Sequence, residues 1–494
     1  MIVNNNKNIE RYIYLAIDLG TTGCRSILFD NKLQQLAVAY EEYGLITPRE
    51  KWTEQDAEDW WNLTLRTAKA AIEKAGISGR DIRGISISSQ GITIVPVDRN
   101  LKPLCNAISW LDVRAEAQTR QIEQDFGQEM VYALTGKPID AAYSLPKIMW
   151  LKQERPQIYK DAWKILMPLD YLTAKFTGRC VTDYSMASGT LMYDIQNQCW
   201  SRDVLEHYQI KETLLPEVLS SGEPAGYVLP EVAKLLGLRE DCMVAVGAQD
   251  QKCAAYGAGL EEGVMTISLG TAAAVTKCWT KPDTAVNRGV GWGGYVDVHT
   301  WVTEGVINTA GTCLRWTRDM LFKGEAYEVM NEEAKEAMER GSSLLFYPYL
   351  NGPSSPDFYP DSEGTFYGVN LATKRGDFAL AVMEGIAFQI RILLETMEAY
   401  GNVHTLILFG GGANSRIWCQ IIADVTGMEL RVPKTPEAAG AGAARLAAKA
   451  AGQEIEPLSC DASYQPSERA YTYQEKYKKY RDIEKKLWKQ EGLA

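Results

Sequence analysis

Residues 12–30 read YIYLAIDLGTTGCRSILFD. Ile13, Leu15 and Ile17 alternate with Tyr12, Tyr14 and Ala16, the period of a strand. The run ends on Asp18, passes through Gly20-Thr21-Thr22-Gly23 and resumes as a second apolar strand over 24–30. A tight glycine hairpin explains the small residues. A phosphate-holding loop explains them equally, because small residues let backbone N–H groups approach phosphate oxygens and threonine hydroxyls add donors. Asp18, at the strand end, is placed to hold Mg²⁺ directly or through water. Arg25, just past the loop, can meet a transferring phosphoryl group.

The rest of the chain bears on that choice. LQQLAVAYEEY predicts a third strand. TEQDAEDWWNLTLRTAKAAIEKAG predicts a helix with early acids and late lysines, ended by Gly76. RGISISS then predicts a strand running into a turn at Gln90-Gly91. The second half repeats the order. GVMTISLGTAAAVTKC is again strand, Leu269-Gly270-Thr271, strand. FALAVMEGIAFQIRILLETMEAYG predicts a long helix ending at Gly401, and HTLILFGGG a strand running into a glycine turn. Hairpin, helix, strand and glycine turn therefore occur twice, which predicts two similar α/β domains with a ligand cleft between them. The boundary is expected near 256–262, with an irregular insertion over about 100–240. An Ala-rich packing helix is expected near 440–450 and a charged terminal helix from about 465.

Composition narrows the function. The 494 residues are 46% hydrophobic and 23% charged, with a net charge of −11. This is a composition for a folded protein and against a nucleic-acid binder. An anionic ligand must then be held by local donors rather than the overall field. The N-terminal stretch lacks a basic region followed by an apolar run, so no signal peptide is expected. No run of about 18 apolar residues predicts a membrane span. Ten scattered cysteines without a C-x-x-C pair suit a reducing cytoplasm. The only histidines are His207, His299 and His404, which gives little support to a histidine metal centre or a Ser-His-Asp triad.

Neither G-x-x-x-x-G-K-[ST] nor a strand-linked G-x-G-x-x-G occurs, so a bound nucleotide is held by other means. MVAVGAQDQKCAAYGAG ends an apolar strand on Gln249-Asp250-Gln251 before a helix. Asp250 can accept a proton from a substrate hydroxyl or cap that helix. In LFGGGANSRIWCQIIADVTG the glycines can admit a base or ribose against the backbone, with Asn414 as a hydrogen-bonding partner. They also suit a close helix–strand crossing capped by Asn414-Ser415. In ISWLDVRAEAQ, Asp112 and Arg114 can bind hydroxyls or form a local salt bridge.

In series these motifs resemble the FGGY carbohydrate kinases. They are Asp18-Leu19-Gly20-Thr21-Thr22, Trp110-x-Asp112-x-Arg114, PKIMWL (146–151), Asp250-Gln251, Leu269-Gly270-Thr271, GTFYGVNLATKRGDFALAVMEGIAF (364–388) and GGGANSRIWCQIIADVTG. The resemblance covers about residues 12–450. It implies an α/β chain of two duplicated actin-like ATPase (ribonuclease H-like) domains with an interdomain cleft. The N-terminal domain is expected over 1–258, the C-terminal domain over 259–452 and a helical tail over 453–494. The family's activity implies phosphoryl transfer from ATP, with Mg²⁺, to a small sugar or polyol. By resemblance Asp18 serves the metal, while Gly20, Thr21, Thr22 and Arg25 lie near the phosphates. Gly270, Thr271, Gly311, Arg315, Gly411, Gly412 and Asn414 fall at the nucleotide site, and Asp250 matches the catalytic base. Gln90, Trp110, Asp112, Tyr143 and Gln251 fall near the sugar, and Lys147 supports the fold.

The C-terminal half looks most like xylulose kinases. Those carry a Met-His pair where this chain has Gln90-Gly91-Ile92. Glycerol kinases carry Gln-Arg-Glu there, and the Asp250-Gln251 pair is similar to theirs. A pentulose such as xylulose, another ketose and a polyol are all admitted as substrates. The resemblance implies a cytoplasmic enzyme with no nucleic-acid or membrane partner and allows a homodimer. An actin-fold ATPase of the chaperone or scaffold class, or an inert sugar sensor, are the alternatives from other classes. No appended partner-binding segment favours the first, and the presence of both Asp18 and Asp250 speaks against the second.

Overall fold

A computed structural model describes residues 12–281, 289–398 and 403–488. Residues 13–30 form the predicted hairpin. Strand β1 (Ile13–Leu19) pairs antiparallel with β2 (Gly23–Asp30), which sets Asp18 opposite Arg25 and Leu19 opposite Cys24. Strand β3 (Gln35–Glu42) continues the meander beside β2. On the other side of β1, β4 (Ile82–Ser89) runs parallel to it, with Asp18 beside Ser88. Strands β5 (Pro224–Tyr227) and β6 (Met243–Ala245) complete the order β5-β6-β4-β1-β2-β3.

Helices cover both faces, so β1 is a continuous apolar run rather than a one-sided strand. Helix Ala57–Ala75 lies under Cys24 and Ser26, whose side chains reach Thr64 and Thr67. Asp56 starts it by accepting from Glu58 N at 2.9 Å, and Gly76 ends it at φ +63°. Helix Ala438–Ala450 packs on the opposite face of β1 and β4. Its small residues permit that approach: a Cβ at Gly442 would overlap the Cys253 carbonyl oxygen.

The second sheet repeats the first. Strand β7 (Val264–Leu269) pairs antiparallel with β8 (Ala273–Trp279), and β9 (Trp301–Ile307) pairs antiparallel with β8. Strand β10 (Thr405–Phe409) runs parallel to β7, β11 (Glu429–Pro433) parallel to β10, and β12 (Cys460–Tyr464) antiparallel to β11. Six of its seven strands, in the order β12-β11-β10-β7-β8-β9, match the six-strand path of the first sheet in order and sense. Ser268 stands at the position of Asp18. The second hairpin is one residue tighter, since Leu269 pairs with Ala273 where Leu19 pairs with Cys24.

The chain forms two compact units that cut across its order. One takes the described residues up to 257 together with 293–300 and 437–457; the other takes those of 258–292, 301–436 and 458–494. The break at 257 lies beside the expected 258. The Ala-rich helix, expected with 259–452, joins the first unit because its glycine and alanine face seats on β1 and β4. From residue 458 on, the expected separate tail is a structural part of the second unit. Helix Arg469–Trp488 buries Tyr473, Tyr477, Tyr480 and Ile483 in that unit's core, at helical spacing. Gln389 Nε2 donates to the Tyr480 hydroxyl at 2.9 Å, and the Tyr349 hydroxyl donates to buried Glu484 at 2.6 Å.

The long helix of the second unit spans Arg375–Glu398; the predicted stop at Gly401 lies outside the described residues. The insertion of the first unit has its own core around Ile94, Ile122, Leu145, Leu151 and Leu191. All ten cysteines are free thiols, and among the described residues no helix is long and apolar enough to cross a membrane.

Candidate active site

In the first unit the loop after β1 is pinned from behind. The Tyr43 hydroxyl donates to the Gly20 carbonyl, Gln55 Nε2 to the Thr21 carbonyl at 2.7 Å, and Tyr43 N to the Thr22 carbonyl at 3.0 Å. In a trans peptide the next N–H points opposite to its carbonyl. Fixing these carbonyls therefore aims the Thr21 and Thr22 N–H groups away from the tethers. Trp110 Nε1 adds a bond to Thr21 Oγ1 at 3.0 Å. The loop is a hairpin, and its donors are preorganised.

Asp18 sits at the loop's root with its side chain 19% exposed. Burial pushes its carboxyl above the ordinary carboxylate range, against the opposing effects of a hydrogen bond from Ser88 and the charge of Arg25. Ser88 Oγ donates at 3.0 Å, and Arg25 stands 3.9 Å away. Arg25 pairs more closely with Glu437, at 3.0 Å, and lies over the Tyr40 ring. A partly desolvated carboxylate of this kind gains from a divalent cation. Among the described residues no cluster of three or more His, Cys, Asp or Glu forms a closed metal cage. One carboxylate beside a loop of backbone donors fits Mg²⁺, which keeps several waters and takes few protein ligands.

Asp250 is the first residue of helix Asp250–Ala258, just after a two-residue strand, Ala248–Gln249, that lies parallel to the end of β4. Its Oδ1 accepts from Gln251 N at 2.7 Å and from Gln249 Nε2. Gln249 N donates to Ser185 Oγ at 2.8 Å, and Ser185 N to the buried carboxylate of Asp183 at 3.0 Å. The carboxylate is thus held at a strand's carboxyl end, where open α/β sheets bind ligands.

Gln90, one strand over, is 2% exposed. Its Nε2 donates to Gln55 Oε1 at 3.0 Å and to the Tyr43 hydroxyl at 3.2 Å. Trp110 is 38% exposed, and Tyr143 stands at the residue before helix Ser144–Glu154, with no capping bond from its side chain. Gln251 is half-buried beside Asp250.

Asp112 takes the salt-bridge alternative. It is fully buried and accepts from Thr53 N at 2.6 Å and from Arg114 N, Nε and Nη2 at 2.9, 2.9 and 2.7 Å. Arg114 also reaches Glu54 at 2.8 Å and stacks 3.7 Å over Trp52. These bonds brace the turn that carries Trp110. Lys147 is likewise buried. Its ammonium is pushed down to about 7 by desolvation, against the charges of Asp112 and Asp140, and donates to the Ala142 carbonyl.

In the second unit Gly270, Thr271, Gly311, Arg315, Gly411, Gly412 and Asn414 all line one cavity of about 660 Å³. Gly311 N donates to the Gly270 carbonyl at 2.9 Å, and Ala310 N and Thr312 N donate to the Thr271 carbonyl at 3.0 and 3.1 Å. This approach requires glycine, since a Cβ at Gly311 would strike the Gly270 carbonyl oxygen. Gly411–Asn414 form a 3₁₀ turn, and Ser415 rather than Asn414 caps the following helix, accepting from Trp418 N at 3.3 Å. Sequence reasoning missed Tyr327, Glu328 and Asn331 in the same wall. They lie on helix Tyr327–Glu339 without a motif, and tertiary packing alone brings them there. It also missed Tyr43, Gln55 and Gln249, whose roles rest on contacts distant in the chain or invisible in composition.

Residues 13–257 match the model of the N-terminal domain of the FGGY family of carbohydrate kinases, and residues 265–451 that of its C-terminal domain. A xylulose kinase of Staphylococcus epidermidis is 31% identical over 474 residues, covering 94% of this chain and 95% of that protein. A glycerol kinase of Thermococcus gammatolerans is 31% identical over 465 residues, covering 91% and 92%. The crystal structure of a xyloylose kinase from Brucella ovis superposes with a TM-score of 0.88 at 28% identity, covering 96% of this chain and 99% of that one.

Proposed function

This chain belongs to the FGGY family of carbohydrate kinases, phosphotransferases that use an alcohol as acceptor, and we propose that it moves the γ-phosphate of MgATP to a primary hydroxyl of a small ketose or polyol, a pentulose such as xylulose first. The observation that carries the nucleotide assignment is the cavity of the second unit, where seven residues from separate stretches converge. Its volume lies within the range of small-molecule sites.

Phosphoryl transfer asks for positioning and charge neutralisation more than covalent chemistry. Asp250 accepts the proton of the attacking hydroxyl, and Gln249 and Gln251 N hold its carboxylate for that task. The Gly20-Thr21-Thr22 loop and Arg25 present donors to the transferring group. Asp18 would hold Mg²⁺, which when bound neutralises phosphate charge. Gln90, Trp110, Tyr143 and Gln251 line the acceptor subsite, and Asp112 supports it through the Trp110 turn. The proposed setting is the cytoplasm, with a homodimer as the assembly to look for.

A polyol such as glycerol is the second reading, favoured by the glycerol kinase relative and by Asp250-Gln251. ADP release with MgATP and a panel of ketoses, polyols and aldonates, with Asp250→Ala as control, tests both. One strong acceptor whose turnover is lost in the variant supports the reading. ATP turnover that ignores every acceptor would sink it.

A further inference from the structure

Two glutamines at the strand ends beside the proposed base each hold a buried acceptor atom. Gln90 Oε1 and Gln249 Oε1 are both enclosed and accept no hydrogen bond among the described residues. An unsatisfied buried polar atom costs about 1–3 kcal/mol, so such atoms call for a reason.

Neither is explained by a reversed amide. Gln55 Nε2 donates to the Thr21 carbonyl, which leaves Gln55 Oε1 as an acceptor; Gln90 must therefore face it with its NH₂. The Gln249 NH₂ is fixed in the same way by the Asp250 carboxylate. What each glutamine has left is a carbonyl oxygen.

The two residues end neighbouring parallel strands, Gln249 pairing with Ser89. Gly91, half-buried and without a side chain, follows Gln90 and faces Gln249. A Cβ there would stand 3.2 Å from Gln249 Cγ. Glycine at this position keeps a side chain from pressing on Gln249.

We propose that Gln249 is a specificity-determining residue that, with Gln90, reads two hydroxyl donors of an uncharged polyhydroxylated acceptor and selects it over an aldonate of the same length. The proposal rests on the sugar kinase reading and names the substrate class of that site. Hydroxyls donate to both carbonyl oxygens while the reacting hydroxyl meets Asp250. A carboxylate in the same place would set oxygen against oxygen beside Asp250. The same Gln249 amide also positions the base, so acceptor recognition and base geometry share one side chain.

The test uses the full chain and ADP release with neutral ketoses and polyols, their deoxy analogues and matched aldonates. Wild type, Gln249→Met and Asp250→Asn are compared, with thermal melts as the folding control. Aldonates should show kcat/KM at least about tenfold below the best neutral acceptor. Gln249→Met should lower that acceptor's kcat/KM by about tenfold, the scale of one hydrogen bond of about 1.4 kcal/mol. The deoxy analogue that loses the same factor in wild type should lose nothing further in Gln249→Met. If Gln249→Met does not fold, Gln249→Glu serves: a second carboxylate beside Asp250 should shift the acidic limb of the kcat/KM pH profile upward. Preference for an aldonate, unchanged kinetics in Gln249→Met, or an unmoved pH limb in Gln249→Glu overturns the proposal. If Asp250→Asn is dead in those cases, the kinase reading stands. Turnover that never depends on Asp250 overturns both.

Discussion

Trp110 donates its indole N–H to the hydroxyl of Thr21 at 3.0 Å across 89 positions of sequence. One partner belongs to the proposed acceptor subsite and the other to the proposed phosphate loop. A second line runs beside it, from Gln90 through Gln55 to the Thr21 carbonyl. The first unit therefore ties the two proposed ligand-facing elements together through side chains, and the loop's position depends on residues of the proposed acceptor subsite.

Trp110→Phe keeps the ring and removes the donor. The residue is part-exposed, so stability should change by no more than about 0.5 kcal/mol. Steady-state kinetics should show kcat/KM reduced severalfold for ATP as well as for the acceptor. A loss confined to the acceptor would show that the bond does not carry the loop.

Two of the four glycines in the proposed nucleotide wall should behave differently. Gly311→Ala forces a methyl against the Gly270 carbonyl and should destabilise by about 1–3 kcal/mol while weakening ATP binding tenfold or more. Gly411 has no atom within 4 Å of its notional Cβ, so Gly411→Ala should stay within about 0.5 kcal/mol of wild type. Nucleotide titration and urea melts on both variants separate space for the fold from space for the ligand.

Asp18 sets activity against stability. Burial raises its folded pKa above the unfolded value. The native state then binds more protons, and the group's stabilising contribution, full below the unfolded pKa, is lost as pH rises through the folded one. Asp18→Asn keeps an acceptor for Ser88 and removes that loss. The ligand-free variant should melt higher than wild type at pH 8, with a smaller difference at pH 5, while kcat falls by two orders of magnitude or more. Equal melting at both pH values would contradict the desolvation account.

Asp112 should prove to be a structural residue. Asp112→Ala leaves Arg114, 3% exposed, with Glu54 as its one remaining carboxylate partner and should cost about 3–5 kcal/mol. Asp112→Asn retains part of the hydrogen bonding and should cost less. Acceptor KM in Asp112→Asn should rise by no more than severalfold, through the Trp110 turn. A hundredfold rise with unchanged melting would return Asp112 to direct sugar contact.

Much of this protein is written locally. Period-two apolar runs, the repeated Leu-Gly-Thr and the glycine turns state the hairpins, the parallel strands and their duplication, because strand period and turn conformation are properties of neighbouring residues. Gly270, Thr271, Gly411, Gly412 and Asn414 of the proposed nucleotide cavity were legible for the same reason, each lying in a glycine-marked turn after a strand; Gly311 and Arg315 came from the family resemblance, and Tyr327, Glu328 and Asn331 had no local mark. Tertiary structure decided what local chemistry leaves open. Asp112 had equal claims to a sugar and to Arg114 until burial closed both its oxygens. The Ala-rich helix joined the first unit, and the terminal helix became core in the second, because hydrophobic burial is set by which surfaces meet and not by order in the chain. The orientation of the Gln90 and Gln249 amides likewise depends on partners far away in sequence or fixed only on folding, and no periodicity records it.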